Sequence, residues 1–183
     1  MNAFLAHLGD WNAANIDSAT SQRRSVAEFL RKLPAGDERD YFRVVVSRRF
    51  PTGRFNVWGV PDDPAAARSH EKTQPGDAIF IAPTTGNNGL VQFSGVVEAA
   101  PNFRCEKTSE ILWKDGLFPY LLFLNAEVGV IPWYDFTVAS GYAPSWNPHG
   151  YYLRLARFRY KNNSDPSPFL EHLRQKYHFK PVI

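Results

Sequence analysis

The apolar positions of this chain fall into short blocks separated by proline, glycine and charged residues, and the spacing within each block predicts its conformation. Over "SATSQRRSVAEFLRKL", residues 18–33, Val26, Phe29 and Leu30 share one helical face. Ser18 or Thr20 stands where a capping side chain is needed, and Pro34-Ala35-Gly36 ends the helix. "DYFRVVVSRRF" reads as a strand through Val46 that stops near Pro51-Thr52-Gly53. "RFNVWGVP" reads as a short aromatic strand closed by Pro61.

The pattern is clearest in "QPGDAIFIAPTTGNNGLVQFSGVVEAAP". Pro75-Gly76-Asp77 turns into a buried strand, Ala78 to Ala82. A polar turn over Thr84 to Gly89 leads to a return strand, Leu90 to Glu98, and the whole is a β-hairpin. Gly95 marks a bulge or a close backbone approach within it. "PYLLFLNAEV" is a further buried strand, "GYYLRLARFRY" a last long one, and "SPFLEHLRQKY" a closing helix. Roughly six strands between a leading and a trailing helix predict an α+β fold, a small β-barrel with flanking N- and C-terminal helices. No repeat or low-complexity tract divides the chain, so residues 1–183 read as one domain. It comprises a helical extension over 1–40, a barrel core over 41–160 and a C-terminal helix over 161–183, with "KNNSDPS" as the hinge before that helix.

At 183 residues and 44% hydrophobic content the chain can bury a core, and disorder is excluded. Its 14 Phe, 8 Tyr and 5 Trp supply more flat ring surface than a core must consume. The lone Cys105 excludes a disulfide framework and a cysteine-based zinc cluster. The N-terminus lacks the basic and apolar regions of a signal peptide. No window reaches the roughly 18 to 20 apolar residues that a span requires. These features point to a cytoplasmic setting. The net charge of +3 is mild, but the basic residues cluster: Arg23, Arg24, Arg31 and Lys32; Arg48, Arg49 and Arg54; Arg154, Arg157, Arg159 and Lys161.

The chain has no GxSxG elbow, P-loop, GxGxxG or HExxH. The five His are scattered without metal-ligand spacing, and Cys105 has only Glu106 and Lys107 beside it to act on its thiol. No catalytic residue, metal or cofactor is expected. The tryptophans offer other chemistry. Trp58 precedes Gly59 at a strand end, Trp113 sits in a polar loop beside Lys114-Asp115, Trp133 follows Pro132, and Trp146 lies in the loop "APSWNPHG". Rings in such places stack on unpaired bases, at about 1–3 kcal/mol per base, or else plug the ends of a barrel.

In order, "FNVWGVP", "QPGDAIFIAPTTGNNGLVQFSGVVEA" and "SEILWKDGLFPYLLFL…IPW" resemble the PUA-like superfamily, and within it the EVE and YTH-type readers of modified bases, over residues 41–160. The resemblance implies a compact barrel whose aromatic pocket takes a base flipped out of nucleic acid. It places Trp58 at the strand-end cage position and Ser47, Arg48 and Arg49 in the turn after the first strand, where family members contact the nucleotide. Phe123 or Asn125 falls at the second cage position. Asn125 would depart from the YTH pattern and offer an amide to a base edge. Trp113, Tyr120 and Trp133 are the further wall candidates, and Arg48, Arg49, Arg54, Arg157 and Arg159 the phosphate contacts. The implied partner is nucleic acid carrying a modified base, DNA in preference to RNA. A nuclease or GTPase effector, separate or fused, completes a modification-dependent restriction system. Two alternatives remain open: an RNA-binding PUA-like domain, and a small-molecule hydrolase with Glu110 or Asp115 as its base.

Overall fold

The computed structural model describes residues 1–7, 20–86, 88–114 and 116–183; Ser18 and Asp115 lie outside them. Its strands are β1 (Ala3–His7), β2 (Arg24–Ser25), β3 (Arg54–Val60), β4 (Ala78–Ala82), β5 (Leu90–Ala99), β6 (Tyr120–Pro132), β7 (Tyr152–Arg154) and β8 (Lys180–Pro181). They join in one eight-stranded sheet of order β2-β3-β6-β5-β4-β1-β7, with β8 added to β6. β1 runs parallel to β4, and the other pairings are antiparallel.

Two expectations are corrected here. The sheet has more than six strands, and it is open rather than a closed barrel. Between the ends of the strand path sits a helix, Pro64–His70, which touches both β3 and β7. Asp63 caps it by accepting from the amides of Ala65 and Ala66, with Pro64 preset at the first helical position. At its last residue, His70 Nε2 lies 3.0 Å from the Leu121 carbonyl, and just beyond it Thr73 Oγ1 lies 2.8 Å from Tyr152 Oη. Side-chain hydrogen bonds thus join β6 and β7 to this segment where a closed barrel would carry a backbone ladder.

Two cores result. In one, Phe29, Phe42, Phe50, Phe55 and Phe123 form a ring cluster with centroids between 5.2 and 5.9 Å apart. In the other, helices Trp133–Ala139 and Ser167–Tyr177 bring Trp133, Phe136, Phe169 and Leu173 against Phe80 and Phe158. Each ring so buried contributes about 1.5–3 kcal/mol relative to exposure. Gly95 makes the expected close approach: a Cβ there would lie 2.6 Å from the Asn125 carbonyl oxygen.

Several local readings change. "DYFRVVVSRRF" is helical, with Asp37–Tyr41 and Ser47–Arg49 joined through a π-helical turn, Phe42–Val46. A strand would have buried Val44 together with Phe42 and Val46, yet Val44 is 50% exposed and only Phe42 and Val46, four apart, turn inward. The β-branched run favours a strand locally, and the aromatic partners available on a helical face override it. Within the expected helix of residues 18–33, Arg24–Ser25 is instead the strand β2, and Val26–Lys32 is an α-helix that begins after it. Its cap is Ser25, whose Oγ accepts from Glu28 N at 3.4 Å. The helical extension expected over residues 1–40 is corrected too, since Ala3–His7 forms a strand between β4 and β7. "GYYLRLARFRY" keeps only Tyr152–Arg154 as strand, because Leu155, Phe158 and Tyr160 fold over into the second core. Among the described residues no helix is long and apolar enough to cross a membrane.

Candidate nucleic-acid interface

Arginines gather at the β2 end of the sheet. The β2–β3 ladder pairs Arg24 with Phe55 and Ser25 with Arg54. Arg23 Nη2 donates to the Arg54 carbonyl at 2.9 Å and to Thr52 Oγ1 at 3.4 Å. Arg48 and Arg49 are exposed on the helical turn just before Gly53, whose φ of 69° swings the chain into β3. The ion pairs among the described residues are Lys32–Glu28, Arg43–Asp40, Arg104 with Asp62 and Glu106, Lys107–Glu110, and Arg174 with Glu127 and Glu171. Arg23, Arg48, Arg49 and Arg54 belong to none, so their charge is available to a polyanion. Arg157 and Arg159, also exposed, follow β7 at the other end of the strand path.

Ser47, Arg48 and Arg49 therefore lie in a helix and not in a turn after a strand. The Ser47 hydroxyl donates to the Phe42 carbonyl at 2.8 Å, inside its own helix. Trp113 likewise leaves the loop assigned to it: it is the last residue of the helix Glu106–Trp113, buried edge-on to Phe118 at 5.2 Å. Gly59 makes room for it, since a Cβ there would lie 2.5 Å from the Trp113 ring.

Strand alternation separates the remaining aromatic candidates. Val57 pairs with Phe123 and Gly59 with Leu121, so Phe123 and Trp113 share the face covered by Phe42 and Phe55. Trp58 pairs with Leu122 and Val60 with Tyr120, which puts Trp58 and Tyr120 on the opposite face. Trp58 is 2% exposed, and its indole N–H has no hydrogen-bond partner. Tyr120 is half-buried, with the Arg104 guanidinium 5.5 Å above its ring and the His70 ring 5.5 Å away. Asn125 is exposed, its Nδ2 donating to Glu98 Oε1 at 3.0 Å. Trp133 belongs to the second core, stacked on Phe136. The structure thus puts Trp58 and Tyr120 on one face and distributes the other candidates over three further places.

Burial governs the titratable groups nearby. It depresses His70, partly offset by the hydrogen bond to Leu121, and it pushes the Cys105 thiol up, with Glu38 adding to the effect. Tyr41 is pushed up to about 12 by burial and by Cys105. A resting Cys105 is therefore a neutral, unreactive thiol. Glu110 pairs with Lys107 at 3.0 Å on the surface. Asn56 escapes sequence reasoning. It is buried, its Nδ2 donates to the Thr20 carbonyl at 2.9 Å, and its Oδ1 accepts from Ala126 N at 3.2 Å. An asparagine flanked by apolar residues within a strand is the only signal it gives. Among the described residues no group of His, Cys, Asp and Glu is arranged to hold a metal.

No protein-family model and no curated protein matches the chain. Among solved structures it is similar to the N-terminal domain of Thermococcus gammatolerans McrB bound to m5C DNA. The TM-score is 0.61 and the identity 14%, over 94% of this chain and 99% of that one. The likeness shows that the two share an overall fold, which in this chain is α+β with an open sheet.

Proposed function

We propose that this chain is a non-catalytic reader of a modified base in DNA, the specificity module of a restriction system whose nuclease or GTPase lies in a partner or fused domain. The observation that carries the reading is the nearly end-to-end fold likeness to a domain captured on m5C DNA. Two features of the chain support it. The uncompensated arginines at the β2–β3 edge match a phosphate backbone, which positions a reader without specifying sequence. On the other side of β3, the buried Trp58 carries an unpartnered N–H on the same face as Tyr120. A buried donor without a partner costs about 1–3 kcal/mol, and a base carbonyl placed against it would relieve that cost. Phe123, Trp113 and Trp133 are secondary wall candidates, buried and reachable only if local packing opens, and Asn125 is an exposed one whose amide is held by Glu98.

The test is a set of duplexes identical except for one cytosine, 5-methylcytosine, 5-hydroxymethylcytosine or N6-methyladenine, repeated in RNA and with Trp58→Phe. The reading predicts tighter binding to one modified duplex, with a preference that shrinks in Trp58→Phe while the fold is retained. Equal affinity for all duplexes refutes it, and a preference for RNA moves the chain to the RNA-binding alternative.

A further inference from the structure

Trp146 stands outside the site described so far, and its surroundings form a small ring stack. Tyr142 and Trp146 stack with centroids 4.2 Å apart and planes 28° apart, and Trp146 stacks in turn on Trp133 at 5.6 Å and 21°. Of the three, only Trp133 is fully buried; Tyr142 and Trp146 are half-buried. Among the described residues Tyr142 stacks on Trp146 alone.

The ledge is held in place by several independent ties. Trp133 Nε1 donates to the Trp146 carbonyl at 3.3 Å, and Trp146 N donates to the Ala143 carbonyl at 2.9 Å. Arg157 N donates to Tyr142 Oη at 3.2 Å, while Arg159 N donates to the Ser140 carbonyl at 2.9 Å. Gly141, at φ 82°, lets the two segments meet, because a Cβ there would lie 3.0 Å from the Arg159 carbonyl oxygen. The rings are therefore fixed relative to Arg157 and Arg159, whose side chains are exposed and make no ion pair among the described residues. Arg159 also lines a cleft of about 260 Å³ together with Arg154 and Asn2.

We infer that Tyr142, backed by Trp146, forms a second ring platform, outside the sheet, which stacks an unpaired nucleobase of bound DNA while Arg157 and Arg159 hold its phosphate. This rests on the DNA-reader reading but uses different residues from the proposed pocket. A half-buried tyrosine held against Trp146 offers its other ring face at little ordering cost, and guanidinium groups tied to the same loop supply the charge that a nucleotide needs. A proline-rich peptide would use the rings but has no use for the arginines.

Binding of a single-stranded oligonucleotide and of the modified duplex is measured for wild type, Tyr142→Ala, Tyr142→Phe and Arg157→Ala/Arg159→Ala. Tyr142→Ala weakens single-strand binding about 5- to 150-fold, and Tyr142→Phe leaves it near wild type. The double arginine variant flattens the salt dependence by about 0.7 for each phosphate that is no longer neutralised. The preference for modified over unmodified duplex persists in each. Trp146→Phe, which keeps a ring in the stack, reports independently: oligonucleotide quenches wild-type tryptophan emission, and that quenching diminishes in the variant. Undiminished single-strand affinity in Tyr142→Ala overturns the platform, as does a polyproline peptide that binds the ledge without displacing oligonucleotide. Loss of modified-base preference in Tyr142→Ala overturns its separateness from the pocket. A wild type that ignores modification but loses single-strand binding in Tyr142→Ala refutes the reader and sustains the platform.

Discussion

Removing the uncompensated charge at the β2–β3 edge tests the interface most directly. Arg48→Ala, Arg49→Ala and Arg54→Ala in one chain delete side chains that are exposed and make no ion pair among the described residues. Their loss therefore changes folding stability by no more than about 0.5 kcal/mol each. If each contacts one phosphate of duplex DNA, the slope of log K against log salt flattens by about 0.9 per residue, or about 2.7 in total. Over a fourfold rise in salt, about 50 to 200 mM, the wild type then loses about 40-fold more affinity than the variant. Fluorescence anisotropy with a labelled duplex at four salt concentrations measures both slopes. Arg43→Ala is the control, because Arg43 sits in the same helical segment but pairs with Asp40 at 2.8 Å. An unchanged slope in the triple variant, or an equal change in the Arg43 control, refutes the assignment of this edge to the DNA backbone.

Gly59→Ala drives a methyl group to 2.5 Å from the Trp113 ring and 2.6 Å from Phe118 Cβ. Urea denaturation is expected to show a loss of about 1–3 kcal/mol, and an unchanged midpoint refutes the packing argument. Asn56→Ala leaves the Ala126 N–H and the Thr20 carbonyl without their side-chain partner. It should cost about 1–3 kcal/mol in the same assay. Burial depresses His70 below its ordinary value of 6.5, so the unfolded chain binds that proton before the folded one does. Stability from this group is complete above about 6.5 and falls as pH drops through the interval down to the folded value. Thermal melts between about pH 8 and 5 are expected to decline on the acid side, and less steeply in His70→Gln; equal declines refute a buried neutral His70.

The elements legible in the sequence are those whose partners are close along the chain. The hairpin of β4 and β5 declares itself through Pro75-Gly76-Asp77, the apolar run Ala78–Ala82 and the Gly-rich turn, and its strands lie where the pattern puts them. Ser167–Tyr177 is equally plain, because Phe169, Leu170 and Leu173 repeat at helical spacing. β1 is not legible in this way. Its five residues lack alternation, and its pairing partners, β4 and β7, are far along the chain. Phe42–Val46 misleads because its β-branched residues favour a strand until Phe29, Phe55 and Phe123 are in place around Phe42. Trp113 misleads for a related reason. The helix holding it is capped from a distance, with the Glu38 carboxylate accepting from the amides of Lys107 and Thr108 at 2.9 and 2.7 Å.

The candidate site divides in the same way. Arg48, Arg49 and Arg54 are adjacent in sequence, so their clustering can be read directly, whereas Arg23 joins them only through β2–β3 pairing. Tyr142 gives no signal by itself, since stacking on Trp146 and the tie to Arg157 exist only in the folded chain. Local spacing determined the α+β class, the hairpin, the aromatic surplus and the basic clusters, because turn chemistry, side-chain alternation and charge act over a few residues. Tertiary structure decided that the sheet is open, that Trp58 and Phe123 lie on opposite faces, and which arginines stand uncompensated. Each of these depends on strand register and on contacts between distant residues, which no local pattern encodes.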